Sequence, residues 1–234
     1  MIIYTNGCSH TAGHCMKRSK TWPHIVMKSI IGSETYFNNL DYNKIKENSN
    51  VLYNHARYGA GNDYIFHKSL ETITGLINSG NKPDYVIIQW SGPNRRLHST
   101  ADGGHLFVNP YDNTELGILF EPMGSEHTLH FMFTMQEFLK NNNINYLFFN
   151  YMGLSKLIKK TAVYQLIDFN NIVNFDLNNN MLEGLIDFFK SNDMNCDEGG
   201  HPNELGNYFI GKQIVERIGY ECINYSNFYN AIVI

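Results

Sequence analysis

The chain has 234 residues, of which 43% are hydrophobic, and its 18 Lys and Arg residues against 22 Asp and Glu residues give a net charge of -4. This length and apolar content predict one large domain, residues 1–234, with an ample core. The acidic balance and the lack of a dense Lys/Arg run exclude the positive surface that general nucleic-acid or anionic-membrane binding requires, so we expect neither partner.

The first residues, MIIYTNGCSH, lack the basic and long apolar segments of a secretory signal. No stretch of the sequence reaches the roughly 18 consecutive apolar residues of a membrane-spanning helix. The four cysteines are scattered and form no C-x-x-C pair, which argues against a disulfide framework and favours a reducing compartment. We therefore expect a cytoplasmic protein.

Short apolar runs alternate with segments in which apolar residues recur at helical spacing. The predicted strands are residues 1–4, 51–53, 85–90, 146–152 and 172–175, and the predicted helices are residues 22–31, 66–77, 129–139, 154–167, 181–189 and 204–218. The runs at 85–90 and 146–152 are apolar almost throughout, as in strands covered on both faces. This alternation predicts an α/β fold, a three-layer α/β/α sandwich with a mostly parallel five-stranded sheet.

Residues 98–127 are rich in Gly, Pro, Asn and Asp and show no clear period. They are long for a simple connection, and binding loops of open α/β sheets gather at the carboxyl ends of strands. We therefore expect a lid or a binding insertion at 98–127.

Four polar segments lie after a predicted strand or before a predicted helix, where such folds carry their chemistry. They are Gly7-Cys8-Ser9-His10, Gly59-Ala60-Gly61-Asn62, Gly92-Pro93-Asn94-Arg95 and Asp197-Glu198-Gly199-Gly200-His201-Pro202. Each one alone is more typical of a helix cap, a turn or a loop. Together, their order resembles the SGNH (GDSL-type) hydrolase family, in which Ser, Gly, Asn and a C-terminal Asp-x-x-His follow one another.

The resemblance implies the flavodoxin-like fold of that family and a serine hydrolase that needs neither cofactor nor metal. Ser9 would attack an acyl carbonyl, and His201 with a carboxylate would activate it. The family spacing of three favours Glu198 as that carboxylate, with Asp197 kept as the second candidate. The backbone amides of Ser9 and Gly59 and the side chain of Asn94 would bind the oxyanion. This chemistry needs these residue types because a hydroxyl is a poor nucleophile until a positioned imidazole takes its proton.

Two positions depart from the family pattern. Cys8 stands in place of an acidic neighbour of the nucleophile, and Arg95 stands in place of a carboxylate after the Asn. We expect His10, Trp90 and Arg95 to contact substrate, although Arg95 could equally pair with a surface carboxylate.

The implied activity is hydrolysis of an ester, with an O-acyl or O-acetyl group on a carbohydrate or another small polar compound as the substrate. The segments GCSHT, GAGND and QWSGPNRR are also similar to phage-borne members of the family. A catalytically silent carbohydrate-binding or virion structural module is therefore the alternative, with the virion as a second location. The sequence leaves the oligomeric state open.

Two other site chemistries are less favoured. Cys8, His10, His14 and Cys15 could ligate a metal ion, but zinc sites usually show tighter Cys/His pairs. A nucleotide-binding flavodoxin-like protein would show phosphate-sized space near Ser9 and no triad, and neither a full G-x-G-x-x-G nor a Gly-Lys-Ser/Thr is present.

Overall fold

A computed structural model describes residues 1–32, 36–37, 50–99, 105–108, 114–173, 175, 184–197 and 200–230. The strands are β1 (Ile2–Asn6), β2 (Tyr36–Phe37), β3 (Val51–Asn54), β4 (Tyr85–Trp90), β5 (Arg96–Ser99), β6 (His105–Val108) and β7 (Asn145–Asn150). The α-helices are α1 (Ser9–Ala12), α2 (Trp22–Ile31), α3 (Asn62–Asn78), α4 (Thr114–Asn141), α5 (Leu185–Ser191), α6 (Glu204–Ile218) and α7 (Tyr225–Asn230).

Five strands form one parallel sheet in the order β2-β3-β1-β4-β7. In the register of the central strand, Ile3 is opposite Leu52 of β3 and Tyr85 of β4. The chain runs from β1 to β2 and β3 on one side and then crosses to β4 on the other. This makes β1 the switch point of the sheet, beside which open α/β sheets bind their ligands. Strands β5 and β6 form a separate antiparallel hairpin.

Alternate strand residues enter two cores, one on each face of the sheet. Tyr4 and Ile88 lie in one core, packed with α3 and α4 residues such as Ile73 and Met132. The other core contains apolar residues of β1, β4, α2 and α6, including Ile3, Ile87, Val26, Ile210 and Ile214. The predicted α/β/α sandwich with a five-stranded, mostly parallel sheet is confirmed. Among the described residues, no helix combines the length and hydropathy needed to cross a membrane.

The identity of the fifth strand differs from the prediction. Of the predicted strand 172–175, the described residues 172, 173 and 175 form a single bridge, between Ile172 and Phe148, and the fifth strand of the sheet is β2. Ile172, Val173 and Phe175 are all buried. Their apolar pattern therefore reflects burial beside β7 and not a strand ladder.

The helix predicted at 154–167 is instead two short 3₁₀ helices, Lys156–Lys160 and Val163–Leu166. The buried apolar residues are Leu154, Ile158, Val163 and Ile167. The step of five residues from Ile158 to Val163 does not keep these side chains on one face of an α-helix. The backbone also becomes extended at Thr161, between the two 3₁₀ helices. Of the helix predicted at 181–189, the structure shows α5 from Leu185, and residues 181–183 lie outside the described residues.

The interval 98–127 is more regular than predicted. It contains the end of β5, all of β6 and the first half of α4, while 100–104 and 109–113 lie outside the described residues. Pro122 and Gly124 lie inside α4 and are poor helix formers, which obscured the helical period there. Whether this segment acts as a lid stays a prediction.

Candidate active site

Ser9 is the first residue of α1, directly beyond the central strand β1. Gln89 of β4 fixes the turn between them, because its side-chain oxygen accepts the Cys8 N–H at 3.3 Å and the Thr11 hydroxyl at 2.8 Å. A Cβ atom at Gly7 would lie 2.8 Å from that oxygen, so glycine is needed for the close approach. The turn thus presents Ser9 at the carboxyl edge of the sheet.

Ser9, His201 and Asp197 form a continuous hydrogen-bonded series. The Oγ atom of Ser9 is 2.9 Å from Nε2 of His201, and Nδ1 of His201 is 2.7 Å from Oδ2 of Asp197. When Nδ1 donates its proton to the carboxylate, Nε2 is left to accept the Ser9 hydroxyl. This is the geometry of a nucleophile, its base and the acid that orients the base.

Asp197, the second of the two candidates from the sequence, lies four residues before His201 and is the described carboxylate that contacts its ring. Glu198 itself lies outside the described residues. Oδ1 of Asp197 also accepts the backbone N–H of His201 at 3.0 Å, and Gly200 adopts a positive φ of 77°. The turn through this left-handed glycine brings the His201 backbone and ring onto one carboxylate.

Contacts on both sides of His201 hold its loop in place. Asn195 and Pro202 form an antiparallel bridge, and Asn203 caps α6 by accepting the Gly206 N–H at 3.0 Å. From the sheet, the hydroxyl of Tyr151 donates to the carbonyl of Gly200. The sequence analysis missed Tyr151, and the available signal was a hydroxyl at the carboxyl end of the predicted strand 146–152.

The His201 ring lies between two other histidine rings. The centroid of the His201 ring is 4.4 Å from that of His10 and 4.2 Å from that of His14. The His10 ring also stacks on Tyr151, with 3.4 Å between the centroids. Burial lowers the pKa of His201, and His10 lowers it further, against the opposing effect of Asp197. The imidazole is therefore neutral at neutral pH and able to accept a proton.

The carboxylate of Asp197 is held ionised. Burial alone would raise its pKa, but the hydrogen bonds from the backbone and ring of His201 outweigh burial and lower it. An ionised carboxylate at this position favours the imidazolium that forms when His201 takes a proton.

The two other predicted oxyanion donors lie in the loops that follow β3 and β4, the two strands that flank β1 in the sheet. Gly59 is in the β3–α3 loop with a φ of 72°. This loop contacts the Ser9 turn, because the Arg57 N–H donates to the Gly7 carbonyl at 3.1 Å, and the Tyr58 ring meets His14 edge-on at 5.8 Å.

Asn94 is buried in the loop that follows β4. Asn62 at the start of α3 fixes this loop through hydrogen bonds of 2.6 and 3.2 Å with the Ser91 backbone. Helix α4 packs directly on it, since a Cβ atom at Gly124 would lie 2.3 Å from Oδ1 of Asn94 and 2.5 Å from the Pro93 carbonyl oxygen. The position of Asn94 thus depends on a glycine in a different element.

The residues expected to contact substrate occupy different environments. Trp90 is fully buried and packs edge-on against Phe148 in the core, so the prediction of a substrate contact was wrong for it. His10 is 3% exposed and lies beneath His201, where it can support that ring but is shielded from the cleft. Arg95 is partly exposed beside the site, its guanidinium donating to Oγ of Ser91 at 3.3 Å.

The four residues of the alternative metal set do not converge. Cys8 and His10 are buried, with Sγ of Cys8 2.9 Å from Nδ1 of His10. His14 and Cys15 are exposed and face Asp197 instead, at 3.6 and 3.7 Å from its Oδ2.

Solved structures with this architecture include an esterase and a protein assigned to a lipolytic family. The psychrotrophic esterase EstA from Pseudoalteromonas sp., solved with monoethylphosphonate as inhibitor, is 12% identical with a TM-score of 0.53, and the match covers 93% of this chain and 96% of that one. TesA is 11% identical with a TM-score of 0.53, covering 94% and 98%. A protein assigned to the G-D-S-L lipolytic family from Desulfitobacterium hafniense DCB-2 is 15% identical with a TM-score of 0.50, covering 92% and 98%.

No protein-family model matches the sequence, and no curated protein is significantly similar to it. The relationship is therefore one of fold: this chain shares its α/β/α architecture with the esterase EstA, with TesA and with a protein assigned to the G-D-S-L lipolytic family.

Proposed function

We propose that this chain is a serine esterase of the SGNH type that works through an acyl-enzyme on Ser9. The observation that carries the proposal is the series from Ser9 through His201 to Asp197, with hydrogen bonds of 2.9 and 2.7 Å. A nucleotide-binding protein of this fold does not require a serine that is hydrogen-bonded to a histidine and a carboxylate. The similarity of fold to the esterase EstA supports the same conclusion.

The proposed reaction begins when Oγ of Ser9 attacks the ester carbonyl carbon and Nε2 of His201 takes the Oγ proton. Asp197 stabilises the resulting imidazolium. The oxyanion of the tetrahedral intermediate accepts hydrogen bonds from the amides of Ser9 and Gly59 and from the side chain of Asn94.

As the intermediate collapses, His201 returns its proton to the leaving alkoxide, so that the alcohol departs and the acyl group stays on Ser9. A water molecule, deprotonated by His201, then attacks the acyl carbon. Release of the carboxylic acid restores the Ser9 hydroxyl and the neutral imidazole.

For the substrate, we propose an O-acyl or O-acetyl group on a carbohydrate or another small polar ester. Two exposed side chains support this choice: His14, which lies against His201 and is about half exposed, and Tyr58, which contacts His14 and is 50% exposed. An exposed tyrosine offers an apolar ring face and a hydroxyl, which suits a sugar better than a long acyl chain. The β5–β6 hairpin and the first half of α4 are the proposed cover of this cleft, since α4 already packs against Asn94.

The test is a panel of esters that vary the acyl and the alcohol parts separately. We expect hydrolysis of p-nitrophenyl acetate and of O-acetylated oligosaccharides, with acetyl favoured over octanoyl, and loss of turnover in Ser9→Ala. Hydrolysis that survives in Ser9→Ala, or no hydrolysis of any ester by folded protein, would contradict the proposal. Binding of unmodified glycans without turnover would favour the catalytically silent module instead.

A further inference from the structure

Three side chains beside the triad carry atoms that can bind a metal ion. Nε2 of His14 is 3.6 Å and Sγ of Cys15 is 3.7 Å from Oδ2 of Asp197, and a ligand atom of each lies within 4.8 Å of the other two. His14 and Cys15 come from the turn after α1, and Asp197 comes from the loop before α6. Residues distant in sequence thus place a nitrogen, a sulfur and an oxygen around one point.

The spacing of these atoms suits tetrahedral coordination. Bonds of about 2.0 Å to nitrogen or oxygen and about 2.3 Å to sulfur, at tetrahedral angles, place the nitrogen and oxygen roughly 3.3 Å apart and the sulfur and oxygen roughly 3.5 Å apart. The observed separations of 3.6 and 3.7 Å exceed these values by only a few tenths of an ångström. The His14 nitrogen and the Cys15 sulfur lie within 4.8 Å of each other, and both side chains are exposed, so their rotation can close the remaining gap.

The donor set selects the kind of ion. An imidazole, a thiolate and a carboxylate form a borderline-soft set that suits Zn²⁺, whereas Mg²⁺ and Ca²⁺ prefer oxygen ligands alone. When the metal displaces the Cys15 thiol proton into solvent, the resulting thiolate and the Asp197 carboxylate together balance the charge of one divalent ion. All three residues are at least partly exposed, so an ion can reach them from solvent.

We propose that His14, Cys15 and Asp197 form a zinc site that inhibits the triad. Zinc bound to Oδ2 of Asp197 competes with the hydrogen bond that the same oxygen accepts from Nδ1 of His201. The added positive charge also opposes formation of the imidazolium. Zinc binding itself is independent of the proposed function, while its inhibitory effect rests on that function.

This site differs from the metal set considered from the sequence. It retains His14 and Cys15, replaces the buried Cys8 and His10, and depends on Asp197 from the other end of the chain. The Cys15 and Cys196 thiols are in hydrogen-bond contact, so a reductant is needed to keep Cys15 available as a ligand.

The first measurement is of zinc binding by the whole chain in the presence of a non-thiol reductant, by competition with a chromophoric chelator. We expect one zinc ion per chain and at least a tenfold weaker affinity in both His14→Ala and Cys15→Ser. Cys222→Ser is the matched control, because Cys222 follows α6 and packs against the apolar side chains of Ile25 and Phe228, so this variant should keep the wild-type affinity. Replacing Zn²⁺ by Co²⁺ should give a thiolate charge-transfer band that is lost in Cys15→Ser.

The second measurement is the rate at which a fluorophosphonate labels Ser9 with and without zinc. Saturating zinc should slow wild-type labelling at least tenfold, and the same zinc concentration should have little effect in Cys15→Ser. Mg²⁺ should have no effect in either protein. Undetectable zinc binding, or affinity unchanged in both variants, would overturn the site, and zinc bound through these residues without slower labelling would overturn the inhibition. If Ser9 is never labelled, the proposed function fails, and the chelator measurement still decides the zinc site.

Discussion

The glycine at position 124 offers a test of how Asn94, the proposed oxyanion donor, is positioned. In Gly124→Ala, the new Cβ atom would start 2.3 Å from Oδ1 of Asn94 and 2.5 Å from the Pro93 carbonyl oxygen. Ordinary contacts of a methyl group are about 3.5 Å, so the Asn94 loop or α4 must move by roughly 1 Å. Ser9, His201 and Asp197 lie on other elements and are not displaced directly.

The expected effect on rate follows from that displacement. A misplacement of about 1 Å can cost about 100-fold in rate, and loss of one oxyanion donor costs about 100- to 1,000-fold. We therefore expect Gly124→Ala to label with a fluorophosphonate about 100-fold more slowly than the wild type. In an Asn94→Ala background the same substitution should change the labelling rate less than about threefold, because the donor that it displaces is already absent.

Gly211→Ala is the matched control. Its Cβ atom would meet the Ile25 side chain at 2.7 Å between α6 and α2, in a helix packing that does not involve the Asn94 loop. Overpacking of this kind costs about 1 to 3 kcal/mol in the free energy of unfolding, so both variants should unfold earlier in urea while only Gly124→Ala loses labelling. Equal losses of labelling in the two variants, or fully additive effects of Gly124→Ala and Asn94→Ala, would refute the assigned role of Asn94.

Three further predictions follow from the geometry. Asp197→Asn should slow Ser9 labelling by about 10,000-fold with the fold intact, because the wrong tautomer of His201 is then favoured; a loss below tenfold would show that another group orients the ring. Trp90→Phe should lower the free energy of unfolding measured in urea and leave labelling within about twofold, because Trp90 lies in the core, and a selective loss of labelling would show that it reaches the cleft. Burial lowers the pKa of His55 to about 4. Below the ordinary histidine pKa of about 6.5, the unfolded chain therefore binds a proton that the folded chain does not. The free energy of unfolding should fall by up to about 1.4 kcal/mol for each unit by which the pH is lowered from about 6.5 to about 4. The Thr72 hydroxyl is 3.1 Å from Nδ1 of His55, and His55→Asn keeps an acceptor for it. This variant should lose that part of the pH dependence in urea unfolding curves. An unchanged dependence of the free energy of unfolding on pH would show that His55 is not its cause.

The residues of the triad differ in how far the sequence could predict them. Ser9 and His201 could be predicted from the order of their segments along the chain, because the first segment follows a strand and the second precedes a helix. The contact of Asp197 with His201 depends on the turn through Gly200, whose positive φ brings two groups of His201 onto this one carboxylate. Such a local turn is not encoded in a count of residues.

Other features of the site depend on contacts between distant elements. Trp90 ends a strand that is apolar on both faces, so the sequence pattern does not separate a core position from a cleft position. In the sequence, Gly124 indicates only an interruption of a helix. In the structure, a glycine is needed there because the loop of Asn94, 30 residues earlier in the chain, packs directly against it. The Tyr151 hydroxyl likewise acquires its role only when the Gly200 carbonyl is placed beside it.

The central claim is that Ser9 is a nucleophile activated by His201. Its most direct test is intact-mass analysis with peptide mapping after treatment with a fluorophosphonate, which needs an activated serine and no knowledge of the substrate. The account predicts one probe per chain, on Ser9, with labelling lost in both Ser9→Ala and His201→Ala. Folded wild-type protein that stays unlabelled, or that is labelled at another residue, would contradict it.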